Sequence, residues 1–372
     1  MSSEMLYPVL PIYLSSIGFS VMLIGILEGM AEATAGLSKG YFGKRSDLTG
    51  KRLPFVQLGY ALSTIAKTSM VFFVHPLWVF TTRTLDRLGK GIRTGARDAM
   101  LSDESTKETK GKIFGFHRSM DTLGAVLGPL LALIYLHFYP TNYKTLFFLA
   151  FIPGVFAVLI TFLLKDKPSV HKVAAPRRSF FSFLGYWKQS PAAFRKVTIG
   201  LLIFALFNSS DVFLLLKLRE SGMNDTWVIG VYIFYNLIYA LSSFPLGILA
   251  DKVGLRKMFI TGLIMFAMVY LGMVIGSGWY VYLLLFSAYG IYAAATEGIA
   301  KAWISNIADK KDTATAIGFY SGFQSICTLL ASSLTGVIWY SFGSAVAFGI
   351  TATVTICVVV YFLMMKDRME VA

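Results

Sequence analysis

The chain has little of what soluble chemistry needs. Its two cysteines, Cys327 and Cys357, lie in separate apolar stretches, which excludes a disulfide framework and any thiolate metal site. It has only four histidines, and no H-E-x-x-H places two of them one helical turn apart, so no metal ligand set is implied. No G-x-x-x-x-G-K-[ST] loop is present to cradle a nucleotide, so ATP is not the energy source. A nucleophile–base set for lipid or head-group chemistry is missing too, because no G-x-S-x-G stands in a strand–turn–helix context. No cleavable leader precedes the first apolar stretch, and alternating, weakly apolar strands of the membrane-barrel kind are absent. No cofactor is implied.

Charge is scarce as well: 15% of the 372 residues are charged and 56% are hydrophobic, with a mean hydropathy of +0.64. That composition fits an all-α polytopic membrane protein. About 20 apolar residues cross a bilayer as a helix. Twelve candidate spans follow, at 1–19, 21–43, 53–75, 77–101, 112–138, 143–165, 197–219, 226–250, 256–276, 279–306, 314–340 and 343–365. The first is short, with Pro8 and Pro11 inside it and a turn at Gly18. It is expected to insert only partly, or to continue a chain that starts upstream.

The net charge of +14 suggests nucleic acid, but the placement of the charges argues against it. Lys and Arg crowd into alternate loops: Lys39 to Arg52, Lys107 to Lys112, Lys165 to Lys196, Lys252 to Lys257, Lys310 with Lys311, and Lys366 with Arg368. The other loops hold little beyond Lys144, Lys217 and Arg219. This asymmetry predicts cytoplasmic termini and a cytoplasmic central loop, in a plasma or inner membrane. The expected organisation is a bundle over 1–165, a connector over 166–196 with an amphipathic, surface-lying piece near Phe180–Trp187, and a second bundle over 197–372.

Two halves are also read from a repeat. Gly43-x-x-x-Asp47-x-x-Gly50-x-Arg52 recurs 204 residues later as Gly247-x-x-x-Asp251-x-x-Gly254-x-Arg256. Ile113–Phe116 matches Ala316–Phe319 at nearly the same offset. Such duplication is typical of membrane transporters. Physically, the pattern reads as a latch. The first Gly lets helices approach closely, the Asp accepts backbone N–H bonds and faces a cation, and the Gly-x-Arg turns the chain. The plain alternative is a topological turn with a positive loop.

The fourth span carries Arg83, Asp86, Arg87, Lys90, Arg93, Arg97 and Asp98 on one arc of roughly 140°. A charge deep in lipid costs about 3 kcal/mol or more, so this face is expected to meet protein or water. Outer members can snorkel; Arg87, Lys90 and Arg93 lie too deep. Arg93 and Asp121 stand at similar depth, so a pair between them is expected, structural or gating. His117 and Arg118 precede Asp121, and His117 is either a titrating group or a hydrogen-bonded helix residue. Further charges lie in other spans: Glu28 with Glu32, Lys67, Asp211, and Glu297 with Lys301. Glu297 and Lys301 share a face and can bridge to each other. Glu28 and Glu32 cannot, so one of them is protonated or pairs with a cation on another helix. Asp211 stands beside Asn208, Ser209 and Ser210, and Tyr232, Tyr235 and Asn236 suit an amphipathic ligand.

The repeated pattern between spans 2 and 3 and between spans 8 and 9 resembles motif A of the major facilitator superfamily, and the twelve-span layout is similar to that family throughout. The first copy departs by Arg45 before Asp47 and by Leu48 where an Arg is usual. Arg87-x-x-Lys90-Gly91-x-Arg93 resembles motif B, with Lys for Gln and Arg for the second Gly. Gly115-x(8)-Gly124-x(3)-Gly128-Pro129 resembles motif C, with Ala132-Leu133 at its close. The resemblance implies two six-helix pseudo-symmetric bundles, a monomer, and a secondary active transporter of a small solute. It implies a cavity lined by Arg87, Lys90, Arg93, Asp211, Tyr235, Glu297 and Lys301. Proton coupling is expected at Asp121, Glu28, Glu32, His117 and Arg118, and gating at Gly43, Asp47, Gly50, Arg52, Gly247, Asp251, Gly254 and Arg256. Motif C points to proton antiport and export of an anionic, zwitterionic or amphipathic solute. Uptake symport of an organic anion or a chelated metal is the alternative, and a membrane enzyme or a receptor is the alternative of another class.

Overall fold

The computed structural model describes residues 2–6, 9–19, 21–139, 142–166, 180–223, 225–276 and 278–365. Among these residues, fifteen α-helices follow in chain order. They are α1 (Ser2–Leu6), α2 (Leu10–Ser16), α3 (Val21–Thr49), α4 (Leu53–Ser69), α5 (Pro76–Asp103), α6 (Lys110–Phe138), α7 (Tyr143–Thr161), α8 (Tyr186–Gln189), α9 (Ala192–Phe207), α10 (Val212–Glu220), α11 (Asp225–Val253), α12 (Leu255–Ile275), α13 (Trp279–Ile307), α14 (Thr313–Phe342) and α15 (Ser344–Met364). Among the described residues there is no strand.

Among the described residues, eight stretches are long and apolar enough to cross a membrane: two in the first half, Lys110–Phe138 and Tyr143–Thr161, and six from Ala192 to Met364. The other expected spans differ for local reasons. α3 and α5 have 29 and 28 residues, length enough, but charge dilutes their apolarity. α4 has 17 residues. The first span is two short pieces, α1 and α2. The span expected over 197–219 is also broken, because Asn208, Ser209 and Ser210 separate α9 from α10.

The chain forms two compact units. Unit 1 comprises Met1–Met100, Gly124–Gln189 and Asp309–Ser325. In it, the short α1 and α2 lie on α7. Ser2 Oγ donates to the Ala150 carbonyl at 2.7 Å, the Tyr13 ring stands 5.2 Å from Phe147, and Leu14 and Leu146 are fully buried. Lipid is as apolar as these side chains, so close van der Waals contact and hydrogen bonds hold them. Asp166 accepts the backbone N–H groups of Arg52 and Leu53, at 3.2 and 2.9 Å, and caps α4. The connector piece is a 3-10 turn, Phe180–Gly185, followed by α8. Phe183 and Tyr186 of this piece are buried in protein, whereas Phe181 and Leu184 are exposed. Phe183 covers Gly40, which has no Cβ to obstruct the ring, and Trp187 stacks on Phe319 at 5.8 Å. Burial, with Asp312 as the nearest acidic influence, holds the Tyr186 phenol above its ordinary range.

Unit 2 comprises Leu101–Leu123, Ser190–Ala308 and Ile326–Ala372. α13 runs along both α11 and α12, and α12 along α15. Phe204, Phe259, Phe266, Tyr292, Trp303 and Phe362 interlock there with ring centroids 4.6 to 6.4 Å apart. Arg256 donates to the carbonyls of Phe362, at 3.1 Å from Nε, and of Met365, neutralising the carbonyl end of α15.

Candidate functional site

Unit 1 holds the basic cluster of α5. Heptad-like spacing of Arg83, Arg87, Lys90 and the residues between them sets these groups against α3 and α4. Arg83 grips Glu28 with two bonds, Nε–Oε1 at 2.7 Å and Nη2–Oε2 at 2.8 Å, and its other arm reaches Asp86 at 3.1 Å. Arg87 lies 3.0 Å from Glu32 and 3.6 Å from Glu28. Lys67 of α4 stands 3.9 Å from Asp86, donates to Ser3 at 2.7 Å, and Ser63 donates to Asp86. Arg93 lies over the Tyr60 ring, 4.2 Å from its centroid. Six cations (Lys39, Lys67, Arg83, Arg87, Lys90, Arg93) therefore stand with four carboxylates (Glu4, Glu28, Glu32, Asp86), an excess of +2. The cluster is graded. Asp86 is 4% exposed, whereas the Glu32 side chain is 41% exposed and Lys90 is open, midway along its helix. Exposed charges at mid-span require water, since hydrocarbon would expel them.

Asp86 anchors the closed end. Replacing it with Ala leaves Lys67 and Arg83 buried with less counter-charge, a loss of about 3 kcal/mol by analogy with broken buried pairs. Thermal unfolding in detergent is expected to show a clear drop in Tm for Asp86→Ala and a smaller one for Asp86→Asn, which keeps the bond to Ser63. Equal stability of all three proteins would refute the anchor role.

Unit 2 holds a second constellation. Arg118 of α6 donates to Glu297 of α13 and to Tyr239 of α11, and lies 3.3 Å from Asp121, three residues on. Its carbon also sits 5.1 Å from the Tyr239 ring centroid. Glu297 and Asp121 remain open, at 44% and 53% side-chain exposure, so this network too meets water. Deeper in the same unit, Asp211 accepts the Tyr289 hydroxyl at 2.6 Å and the Tyr235 hydroxyl on its other oxygen.

The repeated pattern proves to be one device used twice. In unit 1 the Asp47 carboxylate accepts the backbone N–H groups of Ala314, at 3.3 Å, and Thr315, at 2.6 Å, plus the Thr315 hydroxyl at 2.8 Å. In unit 2 Asp251 accepts the N–H groups of Gly111 at 2.6 Å and Lys112 at 2.7 Å. Each Asp thus caps the N-terminus of a helix, α14 or α6, where unpaired donors and the helix dipole favour negative charge. Gly43 abuts the Ala314 carbonyl and Gly247 the Gly111 carbonyl, places that a Cβ would fill. Gly50 and Gly254 turn the chain at φ +62° and +99°. The two arginines part company: Arg52 reaches Asp47 at 3.5 Å, and Arg256 caps α15.

Several expectations are revised by these contacts. Arg93 lies over the Tyr60 ring in unit 1, and Arg118 stands at Asp121 in unit 2. Glu297 pairs with Arg118 on another helix, and Arg118 has Tyr239 as a further support. Glu28 and Glu32 do find cations on another helix, Arg83 and Arg87. Of motif C, Gly115 abuts Gly247 and the Ser243 carbonyl, while Gly124 is half-buried, Gly128 is buried and Pro129 lies inside α6. His117 is half-buried on α6. Residues that the sequence reading left out are Tyr60, Ser63, Tyr239 and Tyr289. The only signal for Tyr239 was its place on one α11 stripe with Tyr232 and Tyr235, at helical spacing.

Known proteins are similar along the whole length. The family model for the Major Facilitator Superfamily matches residues 1–235 and 221–371. An uncharacterized MFS-type transporter of Methanocaldococcus jannaschii is 33% identical over 345 residues, covering 91% of this chain and 85% of that one. Another, of Bacillus subtilis, is 28% identical over 185 residues, covering 48% and 43%. Among solved structures, the human organic anion transporter MFSD10 (TETRAN) superposes with a TM-score of 0.80 at 14% identity, over 97% of this chain and 95% of that one. FucP, in the outward conformation, superposes with a TM-score of 0.73 at 12% identity, over 98% and 94%.

Proposed function

Since the chain belongs to the major facilitator superfamily and is thus a multi-pass secondary transporter, we propose that it is a proton-coupled antiporter exporting a small solute with an anionic group. The reading places both termini in the cytoplasm and the protein in a plasma or inner membrane. The observation that carries it is the basic cluster: its cations outnumber its carboxylates by two, and Lys90 and Glu32 are open while Arg87 is buried beside them. A fixed excess of positive charge in a low-dielectric wall attracts an anion and rejects a bare cation. An arginine offers a fork matched to carboxylate, sulfonate or phosphate oxygens. The name of the human structural neighbour, an organic anion transporter, agrees with that charge.

The proton is carried at Glu297 and Asp121, the two open carboxylates that share Arg118. Protonating either releases one hold on the guanidinium, which links proton uptake to a rearrangement of α6, α11 and α13. Export rather than uptake rests on the motif C likeness, with Gly115 packed on Gly247. During the cycle Asp47 and Asp251 must let go of their helix ends and regain them.

Reconstituted vesicles test both parts. Uptake of fluorescein anion is expected to accelerate when the lumen is acid, because a proton leaves as the anion enters. Acceleration by an acid exterior would indicate symport instead and overturn the antiport reading. Arg87→Gln is expected to weaken fluorescein binding about tenfold, the equivalent of one charge-assisted bond of about 1.5 kcal/mol. Unchanged affinity would remove the cluster from recognition.

A further inference from the structure

In the spans, Glu28, Glu32 and Asp86 in unit 1 and Asp121 and Glu297 in unit 2 each face an arginine. Asp211 does not. Among the described residues, its carboxylate partners are two phenols, Tyr235 and Tyr289. It stands at the break between α9 and α10, and although it is the N-cap residue of α10, its side chain makes no cap bond and turns to the tyrosines instead. The surroundings are rich in acceptors and rings. Asn208 donates its amide to the Tyr292 hydroxyl at 3.0 Å, and its Oδ1 is buried without a hydrogen-bond partner. The Tyr235 ring stands 5.5 Å from both Tyr232 and Tyr289. Tyr232 is half-buried, so the group opens on that side.

Two phenols donate to the carboxylate, and among the described residues no cation stands within ion-pair distance of it, Arg118 acting only from further off. A mid-span carboxylate without a direct ion pair is a place where a cation from outside can gain one. Ring faces beside a carboxylate suit an ammonium group, whose charge is diffuse and whose methyl or methylene groups accept apolar contact. A small hard metal ion suits the place poorly, because it takes bare oxygens as ligands and both carboxylate oxygens already hold hydrogen-bond donors.

We propose that Asp211, with Tyr232, Tyr235 and Tyr289, is a recognition subsite for an alkylammonium group of the transported solute. This rests on the transporter reading above and sharpens it: the solute carries a positive as well as a negative group, and the two are read by separate clusters.

Binding to the purified, full-length protein tests it, with two probes that cannot give up a proton: benzyltrimethylammonium for Asp211 and benzenesulfonate for the basic cluster. Benzyltrimethylammonium is expected to bind saturably to the unaltered protein, and Asp211→Asn, which keeps shape and tyrosine contacts, is expected to weaken it at least tenfold while leaving benzenesulfonate unchanged. Arg87→Gln is expected to do the reverse, and Tyr289→Phe to weaken the ammonium probe a few-fold. If the sulfonate binds and the ammonium does not, or if Asp211→Asn binds the ammonium as well as the unaltered protein does, the subsite is refuted and the anion reading stands. If the ammonium binds through Asp211 and the sulfonate does not bind, the subsite stands and the anion reading fails. Binding of neither probe overturns both.

Discussion

Glu297→Gln should lose about a hundredfold of its gradient-driven flux while gradient-free exchange of solute stays within about threefold of the unaltered protein. Arg118 is held by Glu297, Tyr239 and Asp121 together. Breaking one partner of a buried ion pair costs about 3–5 kcal/mol. Here the Arg118 and Glu297 side chains are 29% and 44% exposed, so solvent screens part of that, and about 3 kcal/mol is the fair figure. Each 1.4 kcal/mol is a factor of about ten, which sets the hundredfold. Gln keeps the shape but can neither neutralise Arg118 nor take up the proton that would free it. The anion cluster lies on other helices, so exchange without a gradient persists. Vesicles with and without an imposed pH difference separate the two quantities. A variant whose flux still follows the gradient as the unaltered protein does would take Glu297 out of coupling.

Asp47→Ala is expected to raise amide hydrogen exchange over the first turn of α14 about thirty- to a hundredfold, without touching the first turn of α6. The carboxylate is 3% exposed and accepts two backbone donors and one hydroxyl. A hydrogen bond to a charged group contributes about 1.5–3 kcal/mol net, and water can replace only part of it once the helix end loosens. Asp251→Ala should act on Gly111 and Lys112 alone and more weakly, about tenfold, because its bond to Lys112 is exposed and it accepts two backbone donors without the added hydroxyl that Asp47 holds. Exchange measured by mass spectrometry on the detergent-solubilised protein reads both helix ends in one experiment. Identical protection in all three proteins would mean that the paired pattern shapes a loop and latches nothing.

What was legible in the sequence is what depends on composition, on local spacing or on recurrence. Apolar runs of sufficient length announced a polytopic helical protein, since a bilayer accepts little else. The duplicated Gly-x-x-x-Asp pattern announced the latches, since only Gly admits a neighbouring backbone so closely and only a carboxylate accepts several N–H bonds at once. The stripe on α5 announced a polar face, because 3.6 residues per turn collects Arg83, Arg87 and Lys90 on one side. Partnership was another matter. Asp47 meets Thr315 across 268 residues, and Arg118 meets Glu297 across 179. A charged residue advertises that it needs a partner but not which one. Depth along a span suggested Arg93 for Asp121, but it could not announce Arg118, which stands one turn away on the same helix where α6 packs by its glycines on α11. The break after Phe207 and the tyrosines around Asp211 were equally hidden, because Asn, Ser and Ser in a row weaken a helix without saying where it will open. The sequence by itself determined the membrane class, the family and the two Gly-x-x-x-Asp turns, all written in near neighbours along the chain. The tertiary structure alone decided which charges are paired and which stand open to water, because that depends on helix rotation and close approach between segments far apart in the chain.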